Sequence, residues 1–194
     1  MNKQFTFSTF IFLLFFNGLE AQIKYEREYK IKRSEVPEMA LDFVSEAGLS
    51  AKVKWYKEEG PDGDSFEAQA ILKAKKYNVD FDANGQIEDV EVDIDGKTLD
   101  QALYGKINTY LKANYKKSKI RNVQIQYVGS RANLIQALVQ TNNIERLDIT
   151  TRYELIVNVK EQRSFRKFEF LFDEDGSLLR KTRVVVKNTD NLEY

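Results

Sequence analysis

YNVDFDANGQIEDVEVDI, residues 77–94, decides how the rest of the chain is read, because FEFLFDEDGSLLRKTRVV, residues 168–185, repeats its pattern. At a constant offset of 91 residues Phe168 falls on Tyr77, Phe170 on Val79, Phe172 on Phe81, Asp173 on Asp82, Gly176 on Gly85 and Leu178 on Ile87. In both stretches apolar residues alternate at the period of a half-buried strand, and an Asp-led tetrapeptide ending in Gly supplies the positive φ of a tight return. Each stretch is expected to be a β-hairpin, and the chain to be duplicated.

Working outward, residues 23–32 alternate like a strand, and Pro37 opens a helix whose stripe is Val36, Ala40, Phe43, Val44 and Ala47, stopped by Gly48. Strands are expected over 51–57, 66–72, 77–82 and 86–95, with the loop EEGPDGDS between the first two. In the fourth strand Val90, Val92 and Ile94 share one side and Asp89, Glu91, Asp93 and Asp95 the other, the pattern of an antiparallel sheet with one packed face. The second half restates this order. Thr98 and Gln101 read as a capping box, and Leu103, Ile107, Tyr110 and Leu111 as the stripe of a helix ending near Tyr115. Strands follow over 121–128, 150–160, 165–173 and 178–187, and Leu134, Ile135, Leu138 and Val139 place an added amphipathic helix within 130–143. The expected fold is therefore α+β: two tandem units, 22–97 and 98–194, each a helix packed on a four-stranded antiparallel sheet, the second with an inserted helix.

Residues 1–21 read as a signal peptide: Lys3, an apolar core over 5–16, then Asn17 and Gly18 before a small residue at Ala21. The apolar run is shorter than the ~20 residues of a membrane span, so no span is expected in the mature chain. The sequence has no Cys and no His. Disulfides are thereby excluded, and so is the side chain that most often moves protons near neutral pH. No Gly-bracketed Ser elbow is present, and the acid row points one way rather than across a cleft, so no enzyme is expected.

Net charge is zero overall, but residues 22–97 carry 12 Lys and Arg against 18 Asp and Glu, and residues 98–194 carry 17 against 11. The halves could attract each other or a charged partner. Arg180, Lys181 and Arg183 with Tyr127 and Tyr153 form the basic and aromatic mixture that nucleic acid would require, but the export signal and zero net charge argue against it. The acidic turns 82–85 and 173–176 and the loop 62–64 have the oxygen chemistry of calcium sites, without a full twelve-residue loop ending in Glu. Turn formation accounts for their Asp residues, and no metal or cofactor is assigned.

The segments VPEMALDFV, KWYKEEG and YNVDFDANGQIEDVEVDI together resemble the PepSY-like, β-lactamase-inhibitor-like (BLIP-like) proteins that Gram-negative bacteria export. The matching positions are Trp55 and the turn at Phe81, Asp82 and Gly85. The resemblance implies tandem α+β units and a secreted or periplasmic binding module that inhibits or chaperones another protein through an exposed sheet face. The chain departs from that pattern where 74–76 and 161–164 lack a Gly at the inner hairpin, and where the extra helix enters.

Trp55 and Tyr56 are adjacent on a strand and must face opposite ways, so one of them is expected to be an exposed anchor. That ring beside Asp89, Glu91 and Asp93 is the candidate partner-binding site, suited to a basic protein or peptide of the envelope. Within the chain, Arg180 aligns with Asp89 across the duplication, so the basic half is the alternative partner of the acid row. The alternative function is a small-ligand or calcium-binding periplasmic protein that uses the acidic turns.

Overall fold

In a computed structural model the described residues are 22–26, 28–49, 52–60, 63–139 and 146–186, so residues 1–21, expected to be a signal peptide, lie outside them. The first helix, α1 (Glu38–Glu46), follows Pro37, whose carbonyl accepts from the amides of Ala40 and Leu41. Gly48, at φ +70°, closes it. The second, α2 (Gln101–Asn114), is capped by Asp100, whose carboxylate accepts from Ala102 N and Leu103 N. The expected Thr98 cap is therefore displaced by two residues. Thr98 instead lies in a 3-10 turn and donates its hydroxyl to Asp95 O, because a carboxylate directly before the helix outcompetes a more distant hydroxyl for the free N–H groups. The inserted helix, α3 (Arg131–Val139), is present; residues 140–145 lie outside the described residues.

The strands are β1 (Gln22–Glu26), β2 (Glu28–Ile31), β3 (Lys54–Gly60), β4 (Gly63–Leu72), β5 (Lys75–Phe81), β6 (Ile87–Asp93), β7 (Ser118–Gly129), β8 (Ile149–Glu161), β9 (Ser164–Asp173) and β10 (Leu178–Val186). The expected EEGPDGDS loop is mostly ladder, with Glu58, Glu59 and Gly60 pairing with Ser65, Asp64 and Gly63.

The expectation of two separate units is overturned. β2 to β10 form one nine-stranded antiparallel run in the order β10-β9-β8-β7-β6-β5-β4-β3-β2, and β1 adds in parallel to β10. The join is β6 on β7, where Val90 to Asp93 pair with Tyr127 to Gln124. All three helices pack on the same face of this sheet. α1 covers Trp55, Phe66, Val79 and Phe81, while α2 covers Val157, Phe168, Phe170 and Phe172. The decisive element is α3. It belongs to the second half of the sequence, yet its Leu134 and Leu138 complete the core of the first half with Tyr77, Val90 and Val92. Its Arg131 forms a bidentate pair with Glu46 of α1, at 2.6 and 2.9 Å, and lies over the Phe43 ring. This helix thus ties the two halves of the chain together.

β1 and β2 are separated by one residue, yet they pair with opposite ends of the run. Consecutive Cα atoms are about 3.8 Å apart, so β10 and β3 are drawn together at that corner and the sheet must curl.

The two quoted stretches form matching hairpins. Asp82 N donates to Gln86 O and Gly85 N to Asp82 O; Asp173 N donates to Ser177 O and Gly176 N to Asp173 O. Gly85 and Gly176 have φ of +81° and +80°. Each turn also sits against a helix start, but the neighbours differ: a Cβ at Gly85 would meet Pro37 Cβ at 2.7 Å and Ala40 N at 3.1 Å, whereas one at Gly176 would meet side-chain atoms of Leu103 and Lys106 at 3.1 and 3.2 Å. Both alanine variants incur the left-handed backbone cost of about 1–2 kcal/mol. Only Gly85→Ala adds a clash with ring and backbone that cannot rotate away, about 1–3 kcal/mol more. Denaturant unfolding should therefore rank Gly85→Ala below Gly176→Ala, with equal losses contradicting the packing argument. Leu134, fully buried on α3, supplies a second check. Leu134→Ala should cost about 2–5 kcal/mol and lower a single transition of the whole chain; two separated transitions would mean that the halves fold independently.

Candidate functional site

The face without helices is mainly polar over β3 to β7, while on β9 and β10 it also buries Leu171 and Val184. From β3 inward it presents Tyr56, Glu67, Asp80 and Asp89 as register neighbours on β3, β4, β5 and β6. The next row is Gln69, Asn78, Glu91 and Gln126. A bulge between Asp80 and Phe81 lets Ile87 and Asp89 pair with consecutive β5 residues, which places Asp89 opposite Asp80.

Trp55, one of the two expected anchors, is 4% exposed and packs on Phe81 in the helix-side core. It cannot touch a partner. Tyr56 therefore takes the opposite face, partly exposed, between Lys30 and Glu67.

The acid row does not project into open solvent as its alternation suggests. Glu91 is 7% exposed, and each acid is engaged across the β6–β7 join: Gln126 donates to Asp89 at 3.1 Å, Gln124 to Glu91 at 2.9 Å and Asn122 to Asp93 at 3.3 Å. Lys76 approaches Asp93 at 4.0 Å. Buried with them on this face are Gln124, Gln126, Glu154, Glu169 and Thr182. No helix covers these groups, so the curl itself shields them.

Arg180 shows which way the sheet curls. It stands four strands from Asp89, about 19 Å along a flat sheet with ~4.8 Å spacing, yet it is near enough to stabilise the Asp89 carboxylate. The polar face is therefore the inner one. Arg180 also holds Glu169, of its own half, at 3.1 Å, so Asp89 of the other half is not its sole partner. Lys181 points the other way, over the rings of Phe168 and Tyr115 on the helix side.

Asp80, Asp89 and Glu91 form the densest acid cluster among the described residues, with one oxygen of each within 4.8 Å of the others. Burial, then the charge of Glu88, pushes the Asp89 carboxyl up to about 6, with Arg180, Asp80 and Gln126 partly offsetting the rise. Alternation along β5 already separates Asn78 and Asp80 from Tyr77, Val79 and Phe81, so their shared face was readable; their approach to Asp89 was not, because it requires register and bulge.

The acidic turns behave differently. Asp82 Oδ1 accepts from Asn84 N and Gln86 N, and Asp173 Oδ1 accepts from Asp175 N and Ser177 N. Asp64 lies in β4 and pairs with Lys57 at 2.6 Å; Asp62 lies outside the described residues. An open groove of about 780 Å³ beside the start of α2 is lined by Ile94, Leu99, Tyr104, Ile120 and Val123 with Asp95, Lys97 and Arg121, and its lining offers no Ser or Thr hydroxyl.

No family model matches the chain, and no curated protein matches it. Among solved structures it is similar to a DUF2874 family protein from Bacteroides ovatus, at TM-score 0.51 and 15% identity, over 76% of this chain and 87% of that one. A proposed periplasmic protein from Bacteroides eggerthii aligns at TM-score 0.49 and 13% identity over 76% and 88%, and a BLIP-like protein from Bacteroides fragilis at 0.46 and 18% over 82% and 92%. The first of these is a likeness of fold. BLIP-like is among the descriptions of these neighbours, while PepSY-like is not. No described helix is long and apolar enough to cross a membrane.

A carboxyl whose pKa rises on folding is progressively penalised as pH climbs from its unfolded value towards its folded one. The ordinary Asp value of 3.8 and the folded value of about 6 place this loss between about pH 4 and pH 6. In chelator-treated buffer near pH 7.5, Asp89→Asn should therefore be more stable than the parent by up to about 3 kcal/mol, at roughly 1.4 kcal/mol per unit. By about pH 4 the advantage should be nearly gone. A variant destabilised at both pH values would show that the carboxylate is favourable where it stands.

Proposed function

We propose that this chain is an exported, non-catalytic binding module that receives a basic segment of an envelope protein or peptide on the inner, acid-rich sheet face, with Tyr56 as its aromatic anchor. One observation carries this reading: all three helices lie on one face, and the other is acidic over β3 to β6. Glu58, Glu67, Asp80, Asp89, Glu91 and Asp93 outnumber Lys54 and Lys76 there. A ring at the margin of such a surface supplies affinity, while the acids govern encounter rate and partner choice. Export to the periplasm or medium is supported by the signal pattern over residues 1–21. The absence of His and Cys from the sequence supports a role without catalysis. The reading in which acidic turns hold calcium has less support, because Asp82 and Asp173 each already accept two backbone amides.

The test is capture from envelope extract by immobilised chain, followed by binding of the recovered protein to Tyr56→Ala, Glu67→Gln and the helix-face control Tyr104→Ala. Loss of the anchor should weaken binding about 30-fold, the equivalent of ~2 kcal/mol for a central aromatic. Glu67→Gln should mainly slow association and flatten its salt dependence. Tyr104→Ala should leave binding unchanged. Full binding by Tyr56→Ala, with the fold intact by circular dichroism, would overturn the proposed face.

A further inference from the structure

We propose that Asp80, Asp89 and Glu91, together with the carboxamide oxygens of Gln126 and Asn78, form a site for one divalent cation, calcium in preference to magnesium. Three adjacent strands place these groups. Asp80 and Asp89 are register partners across β5 and β6, and Glu91 is the register partner of both Asn78 on β5 and Gln126 on β7. An oxygen from each carboxylate lies within 4.8 Å of the other two. Such close like charges on a largely buried face are relieved by a proton shared between them at low pH, or by a positive charge held among them.

The second observation is independent of the acids. Gln126 is 6% exposed, its Nε2 donates to Asp89 Oδ2 at 3.1 Å, and its buried Oε1 has no hydrogen-bond partner. Exchanging the two ends of this amide does not help, because it would set a carbonyl oxygen against a carboxylate. Asn78 Oδ1 and Asp89 Oδ1 are likewise buried without a donor. Three acceptor oxygens on one patch thus lack hydrogens to accept, and buried acceptors of this kind are rare enough in folded proteins to require an occupant. An N–H or O–H donor would satisfy one of them. A cation satisfies several together and also relieves the carboxylate repulsion.

The donor set selects the metal. It is all oxygen, which excludes the soft ions that favour sulfur and nitrogen. Calcium takes about 6–8 oxygens at roughly 2.3–2.6 Å and accepts carboxylate and amide oxygens together, with water completing the shell. Magnesium demands a near-octahedral shell at about 2.0–2.1 Å and keeps most of its waters, so it gains less from five protein oxygens held by a strand ladder. The site is distinct from the acidic turns, whose Asp oxygens cap their own backbones. It shares Asp80, Asp89 and Glu91 with the acidic face of the partner-binding reading, but it is measured on the isolated chain, so the two can fail separately.

The experiment titrates calcium chloride, then magnesium chloride, into the chelator-treated mature chain in salt sufficient to screen diffuse attraction, with calorimetry and thermal unfolding as readouts. One calcium per chain should bind and raise the melting temperature, with magnesium at least tenfold weaker. Asp89→Asn retains the acceptor for Gln126 and should stay folded, yet weaken calcium binding at least tenfold. Gln126→Leu removes an oxygen without altering charge and should also weaken it, whereas Asp82→Asn and Asp173→Asn should leave it unchanged. The proposal is overturned by absence of saturable calcium binding up to about 10 mM, roughly ten times the weak end of extracellular calcium modules. An equal response to magnesium, binding that survives both site variants, or loss of binding in the turn variants would overturn it equally.

Discussion

The seam between β6 and β7 is the constraint on which the other features depend. Its backbone pairs Val90 to Asp93 with Tyr127 to Gln124, and its inner face carries a second ladder, with Asp89, Glu91 and Asp93 accepting from Gln126, Gln124 and Asn122. Hydrogen bonds to charged groups contribute about 1.5–3 kcal/mol each, and breaking one by removal of a single partner leaves a buried polar group unsatisfied. The two halves of the chain, each with its own hairpin, are thereby fused. The acid row of the first half is also matched to the amide row of the second, which fixes the register of the join: a slip of one residue would turn every acid towards the helices.

Fusion at the seam has a consequence for the helices. Once β6 and β7 are neighbours, the apolar faces of both halves become one surface, and α3 can leave its own half to lie over Tyr77, Val90 and Val92. The Arg131–Glu46 pair, both partners part-exposed, contributes modestly by itself. It nonetheless fixes the direction in which α3 crosses to α1. With every described helix on the outer side, the inner side of the curl carries the acid and amide rows together with buried Leu171 and Val184.

That arrangement leaves the inner face in tension. Glu91, Glu154 and Glu169 are buried, and the Asp89 carboxyl is pushed well above its ordinary range. Burying charged groups on a face with no covering layer costs stability that a mixed apolar surface would not. Departures from local consistency of this kind concentrate where a protein does something besides fold. The helix-side core shows no comparable conflict, since Phe168, Phe170 and Phe172 stack in register on β9 and meet Tyr110 and Tyr115 edge-on.

By itself the sequence determined most of the strands, the three helices and the chemistry of the two Asp-to-Gly turns, although it read 23–32 as one strand where β1 and β2 lie at opposite ends of the sheet, and 58–65 as a loop where most is ladder. Periodicity and positive-φ glycine are local properties, written within a few residues of where they act. It also separated the residues of each strand into two faces, so that Asp89, Glu91 and Asp93 lay together, and Trp55 lay opposite Tyr56. Only the tertiary structure decided which face met the helices, and so buried Trp55 and left Tyr56. It alone joined the two halves into one sheet, sent α3 to the first half's core, moved the α2 cap from Thr98 to Asp100 and brought Asp80 to Asp89 and Glu91. Those outcomes depend on which strands become neighbours, in what register, and how far the sheet curls. Such terms arise from contacts distant in sequence, and no periodicity within an element records them.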